Sequence, residues 1–115
     1  MIGAIIGDVV GSRFEFNNIK TKDFELVTSE SKFTDDTVMT VAVADILVNG
    51  NSKNKDEIID TLKKWGKKYP HAGYGGHFYG WVLGNDREPY NSCGNGSAMR
   101  VSAAGWIGKT ISIPC

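Results

Sequence analysis

Cysteine, surplus charge and long apolar runs are all scarce in this sequence, and each shortage excludes something. The two cysteines, Cys93 and Cys115, stand far apart with no CxxC and no spaced Cys/His set. That excludes a disulfide framework and a zinc site, and leaves reduced thiols in a cytoplasmic protein as the expectation. Thirteen basic residues balance thirteen acidic ones, so no overall field draws the chain to nucleic acid or to an anionic membrane. The opening "MIGAIIGDVVG" is apolar but short, has no basic segment before it and is interrupted by Asp8; it reads as neither signal peptide nor membrane span. Sustained period-two alternation, internal repeats and low-complexity linkers are missing as well. At 115 residues and 41% hydrophobic content, one modest core is affordable and two are not, so a single all-α domain over residues 1–115 is expected.

The helical periods are easy to follow. Residues 2–12 predict a first helix with Gly3, Gly7 and Gly11 at four-residue intervals, a bare stripe on which another backbone can approach. If that helix persists to Glu15, it places Asp8, Ser12 and Glu15 on one face, which is either a solvent stripe or a functional one. Residues 17–32 read as an irregular loop leading to "FTDDTVMTVAVADIL". There a helix starts beside Thr34, and apolar residues occupy nearly every face from Val38 to Leu47. Its N-terminus therefore lies near the interior. One aspartate at such an end is ordinary capping, but Asp35 and Asp36 together repel and call for something positive.

Next, "NGNS" supplies a stop and a fresh N-cap, and "KDEIIDTLKKWGKKY" predicts an amphipathic helix with Ile58, Ile59, Leu62, Trp65 and Tyr69 on its inner side. Lys63, Lys64, Lys67 and Lys68 are expected on the solvated side of that helix, and Pro70 ends it. A short helix is expected around "HFYGWVLG". In "SCGNGSAMRVSAAGWIG" the Gly94–Gly96 turn feeds a helix from Ser97 carrying Ala98, Val101, Ala104 and Ile107. A loop of that kind aims several backbone N–H groups one way, which suits a phosphate, although the spacing matches neither GxGxxG nor GxxxxGK[ST].

Three stretches, "GAIIGDVVGSRFEF", "FTDDTVMTVAVADIL" and "PYNSCGNGSAMRVSAAGW", resemble in order and spacing the N-terminal part of the ADP-ribosylglycohydrolase family, which includes the dinitrogenase reductase-activating glycohydrolases. The resemblance runs from Ile2 to Trp106. It implies an all-helical enzyme that releases ADP-ribose from modified proteins or related acceptors with two magnesium or manganese ions. It implies Thr34, Asp35 and Asp36 as metal ligands, which would supply the positive charge the acid pair lacks. It implies a catalytic group of Glu15, Asp35 and Asp36, with Glu15 beside the metals and the scissile ribose bond. It further implies that Ser92, Gly94, Asn95, Gly96, Ser97 and Ala98 hold the diphosphate of ADP-ribose.

Members of the family continue to a second acidic motif, DxDT, and nothing after Asp36 here has that form; Asp86 and Glu88 sit in a turn-like setting with no threonine. The resemblance therefore implies a truncated domain. Apolar surface left by the missing half is expected to be covered by self-association or by a complementing chain. Three functional expectations follow: a metal-dependent ADP-ribosyl hydrolase completed by a partner, a non-catalytic module that holds ADP-ribose or its diphosphate, and a helical interaction remnant in which the aspartates only cap.

Overall fold

A computed structural model gives the fold and describes residues 1–107. The tail from Gly108, with Cys115, lies outside the described residues. Among the described residues every regular element is helical and no strand occurs: α1 spans Ile2–Gly11, α2 Asp35–Asn49, α3 Lys55–Lys68, α4 Gly76–Leu83, α5 Gly96–Met99 and α6 Ser102–Ile107. None of these helices is long and apolar enough to cross a membrane.

The helix at the centre is α2. Thr34 caps it in extended conformation, its hydroxyl accepting from the Asp36 N–H at 3.3 Å. One stripe of α2, Val38, Met39, Ala42 and Ile46, is buried. Leu62 and Trp65 of α3 and Tyr69 just past its end pack on its first turns together with Ala72, Tyr74 and Phe78. The expected inner side of α3 is the observed one. Its N-cap is Asn54, which accepts from Asp56 and Glu57 N–H; the "NGNS" segment ends α2 at Gly50 but does not supply the cap of α3.

Four expectations need correction. α1 stops at Gly11, and Ser12–Phe14 tighten into a 3-10 turn because Ser12 Oγ turns back to Val9 O. No described neighbour lies within 4 Å of where a Cβ on Gly3, Gly7 or Gly11 would sit, so nothing among the described residues packs on that glycine stripe. The predicted helix from Ser97 breaks after one turn, with Arg100 and Val101 separating α5 from α6. Lys63 is not on a solvated side: it is 7% exposed. Its ammonium donates to Gly84 O at 2.8 Å and Asp86 O at 2.7 Å and lies over the Trp81 ring. Two carbonyls and an aromatic face solvate the charge that water would otherwise hold.

α4 approaches α3 at a helix-interior glycine. A Cβ on Gly66 would stand 2.8 Å from Val82 Cγ1, and Val82 is fully buried. Gly66→Ala would gain about 1 kcal/mol of helix propensity but force overpacking that costs about 1–3 kcal/mol. Urea denaturation should show a net loss of stability for Gly66→Ala and recovery of part of it in the Gly66→Ala/Val82→Ala double variant.

Candidate functional site

The acidic start of α2 is held in place by a third aspartate. Asp8, midway along α1, accepts from Thr34 N at 2.7 Å and Thr34 Oγ1 at 2.5 Å, and from Thr37 N at 3.2 Å and Thr37 Oγ1 at 2.6 Å. Asp8 thus provides from outside the helix the carboxylate that its free N–H groups require. The Asp35 N–H is taken by Ala72 O at 2.8 Å. These bonds leave the reading in which Asp35 and Asp36 serve only as caps without support, since the cap is built from Thr34 and Asp8. Asp8 and Ser12 are also not a solvent stripe: Ser12 Oγ accepts the Lys32 N–H at 3.1 Å and fastens the loop before the TDDT segment.

The pair itself is electrostatically unhappy. Burial, then the charge of Asp36, pushes the Asp35 carboxyl up to about 6, with Glu15 adding to the rise. Burial first, then Asp8 and Glu15, raises Asp36 as well. Among the described residues, Asp36 Oδ1 is buried with no hydrogen-bond partner. The cation that answers the pair among the described residues is Arg100, whose charge opposes the rise at Asp36. Tyr74 belongs to the same neighbourhood. Its hydroxyl is buried without a partner among the described residues and pushed up to about 12 by burial, then by the charge of Asp35 and by Tyr79.

A cleft of about 980 Å³ brings the two predicted motifs together, with Asp35 on one side and Ser92, Gly94, Asn95, Gly96 and Ser97 on the other. Ala98 is exposed but does not line it. Thr34, Asp36 and Glu15 do not line it either; Glu15, exposed after the 3-10 turn, acts on both aspartates through its charge. Phe78, Trp81 and Tyr90 form the aromatic walls. The loop that carries Ser92 is fastened by Lys63 and by surface ion pairs, Arg87 with Asp56 and Asp60 and Lys55 with Glu88. Among the described residues no group of three or more His, Cys, Asp or Glu is arranged to hold a metal.

Sequence reasoning passed over Asp8 as a cap, Lys63 as a clamp, Tyr74, and Arg100. Only Arg100 carried a readable signal, because it stands four residues after Gly96 and so returns one helical turn later to the glycine loop.

A family model described as ADP-ribosylglycohydrolase matches residues 1–111. No solved structure matches the chain.

The raised carboxyl of Asp35 fixes a pH dependence. Below its ordinary value of 3.8 it is protonated folded or unfolded and costs nothing. Above about 6 it is ionised in both states and the fold bears the full desolvation penalty. Between the two the folded state holds the extra proton, so this group makes stability fall as pH rises. In metal-free buffer Asp35→Asn should therefore melt at a higher temperature than the parent at pH 7, with the gap closing as the pH is lowered toward 4. A variant that melts lower than the parent at pH 7 would show that the carboxylate is stabilising.

Proposed function

Since the chain belongs to the ADP-ribosylglycohydrolase family, we propose that its cleft takes an ADP-ribosyl group attached to a protein or related acceptor and promotes hydrolysis of the bond at the anomeric carbon. The observation that carries this reading is the shared cleft: Asp35 and the Gly94–Ser97 segment, remote in sequence, open into one space. An acidic centre beside a glycine turn suits a ligand whose reactive ribose and diphosphate lie a few bonds apart.

Hydrolysis here adds the oxygen of water to the anomeric carbon and breaks that carbon's bond to the acceptor. One proton of the water ends on the leaving group. The transition state has oxocarbenium character, so negative charge facing the ribose is an advantage. Asp35 lines the cleft and provides it, with the neighbouring charge of Asp36 acting through space. Glu15 is exposed and within electrostatic reach of both, which suits it to orient a water or take its proton.

The residues fit a magnesium or manganese ion in kind. Asp36 Oδ1 has no partner among the described residues, both carboxyls are raised by burial and then by neighbouring negative charge, and hard oxygen donors suit such ions. Asp35 and Asp36 would hold the ion, with Thr34 as a third donor whose hydroxyl already gives its proton to Asp8. When bound, the ion would polarise ribose hydroxyls and make a coordinated water more acidic. The acid pair supplies part of a coordination shell, so a partner subunit or solvent oxygens complete it in this proposal. A cytoplasmic setting also belongs to it, in keeping with a free, exposed Cys93.

The test is release of ADP-ribose from an ADP-ribosylated protein, with and without magnesium or manganese at fixed ionic strength. Release that depends on the metal and falls at least about a hundredfold in Asp36→Asn is expected. Binding of ADP-ribose without release would instead assign a module that holds the ligand and leaves the bond intact. Melting in the same buffers gives a second reading: manganese should raise the transition of the parent and do little for Asp36→Asn.

A further inference from the structure

We propose that Arg100 reads the phosphate-bearing part of the ligand from a position fixed by Gly96 and Phe78, an inference that rests on the cleft being an ADP-ribosyl site. Its basis is a side chain that is held at three points and still has donors to spare.

α5 ends at Met99, and Arg100 leaves the helical path with φ −95° and ψ 1°. Its side chain then doubles back. Nε donates to Gly96 O at 2.7 Å, the guanidinium carbon lies 4.8 Å from the centroid of the Phe78 ring, and Nη2 lies against the Gly96 α-carbon, where a Cβ would stand 2.5 Å away. Gly96 is thus required by the guanidinium and not by backbone conformation, since no left-handed φ occurs there. A long side chain pinned in this way has little freedom left to lose when a ligand arrives.

Nε is the one guanidinium nitrogen with a hydrogen-bond partner among the described residues, and Arg100 forms no ion pair there. Its remaining donors belong to a group that lines the cleft. Burial works against the guanidinium charge, while Asp35, Tyr90 and Asp36 favour it only through space. An anion in the cleft would relieve that burial directly. A planar fork with two free nitrogens matches two oxygens of a phosphate, which a neutral sugar or base does not offer. The one-turn α5 is too short to attract an anion by its own dipole, so the side chain carries the positive charge that the loop alone lacks.

Calorimetric titration of the full chain with inorganic pyrophosphate, in chelator and at fixed ionic strength, tests the proposal, with ADP-ribose as a second probe. Arg100→Met should bind pyrophosphate at least about tenfold more weakly. Arg100→Lys, which keeps a charge but loses the fork and the stacking, should recover only part of the difference. Gly96→Ala removes no charge but displaces the guanidinium, and should weaken pyrophosphate binding severalfold while melting close to the parent. Undiminished binding in Arg100→Met would overturn the proposal. Should that variant fail to fold, undiminished binding in Gly96→Ala would do so. Full recovery in Arg100→Lys, or no binding of millimolar pyrophosphate by the parent, would also overturn it. Arg100-dependent binding of pyrophosphate without any binding of ADP-ribose would keep the role of Arg100 and discard the ADP-ribosyl reading.

Discussion

The arrangement of this protein hangs on the carboxylate of Asp8. Four donors from Thr34 and Thr37 converge on it, and they join α1 to the first turn of α2. An N-terminus that begins near the interior needs its N–H groups satisfied from somewhere, and a carboxylate from a neighbouring helix meets that need with charge as well as hydrogen bonds. Because Asp8 does this, Asp35 and Asp36 are released from capping. They remain at the helix start as side chains whose ionised forms lack enough partners.

Two carboxyls whose ionised forms are disfavoured cost stability, and the fold tolerates them where it could have placed neutral residues. The local relief it offers is partial. Arg100 acts on the pair through space but is committed by geometry to Gly96 and Phe78. The cleft thus contains separated charges of both signs, negative at α2 and positive at the glycine turn. In the function proposed above, that polarity serves a ligand whose diphosphate and ribose differ in what they need, and it would be lost if Arg100 collapsed into an ion pair with Asp35 or Asp36.

The far wall of the cleft is positioned by packing that has nothing to do with charge recognition. Gly66 lets α4 come down onto α3 until Val82 is fully buried, and Lys63 then gathers the carbonyls that follow α4. Gly73, with φ 96°, turns the chain between them in a conformation that a side chain would strain. These three residues hold the loop that leads to Ser92 and the glycine turn, so the position of the candidate ligand groups depends on packing some distance away.

Much of this was legible in the sequence. Helical periods gave α1 through α4, because a 3.6-residue repeat of apolar side chains leaves few other ways to bury them. The pairing of TDDT with GNGSAMR carried the family, and the crowding of Asp35 and Asp36 at a buried helix start already announced a need for positive charge. Local pattern could not say what lay across from each residue. Lys63 looked like one of four solvated lysines, since sequence spacing reports the face of a helix and not the depth of the element packed against its edge. Asp8 looked like part of a polar stripe, since its partners come from beyond a long loop. The continuous helix expected from Ser97 gave way to a one-turn α5 because Arg100 found better partners in the Gly96 carbonyl and the Phe78 ring than on a helical path. The sequence by itself determined the helices and the chemistry they carry, through short-range periodicity and side-chain type. Only the tertiary structure decided which charge caps, which clamps and which faces the cleft, because those assignments depend on contacts between residues far apart in the chain.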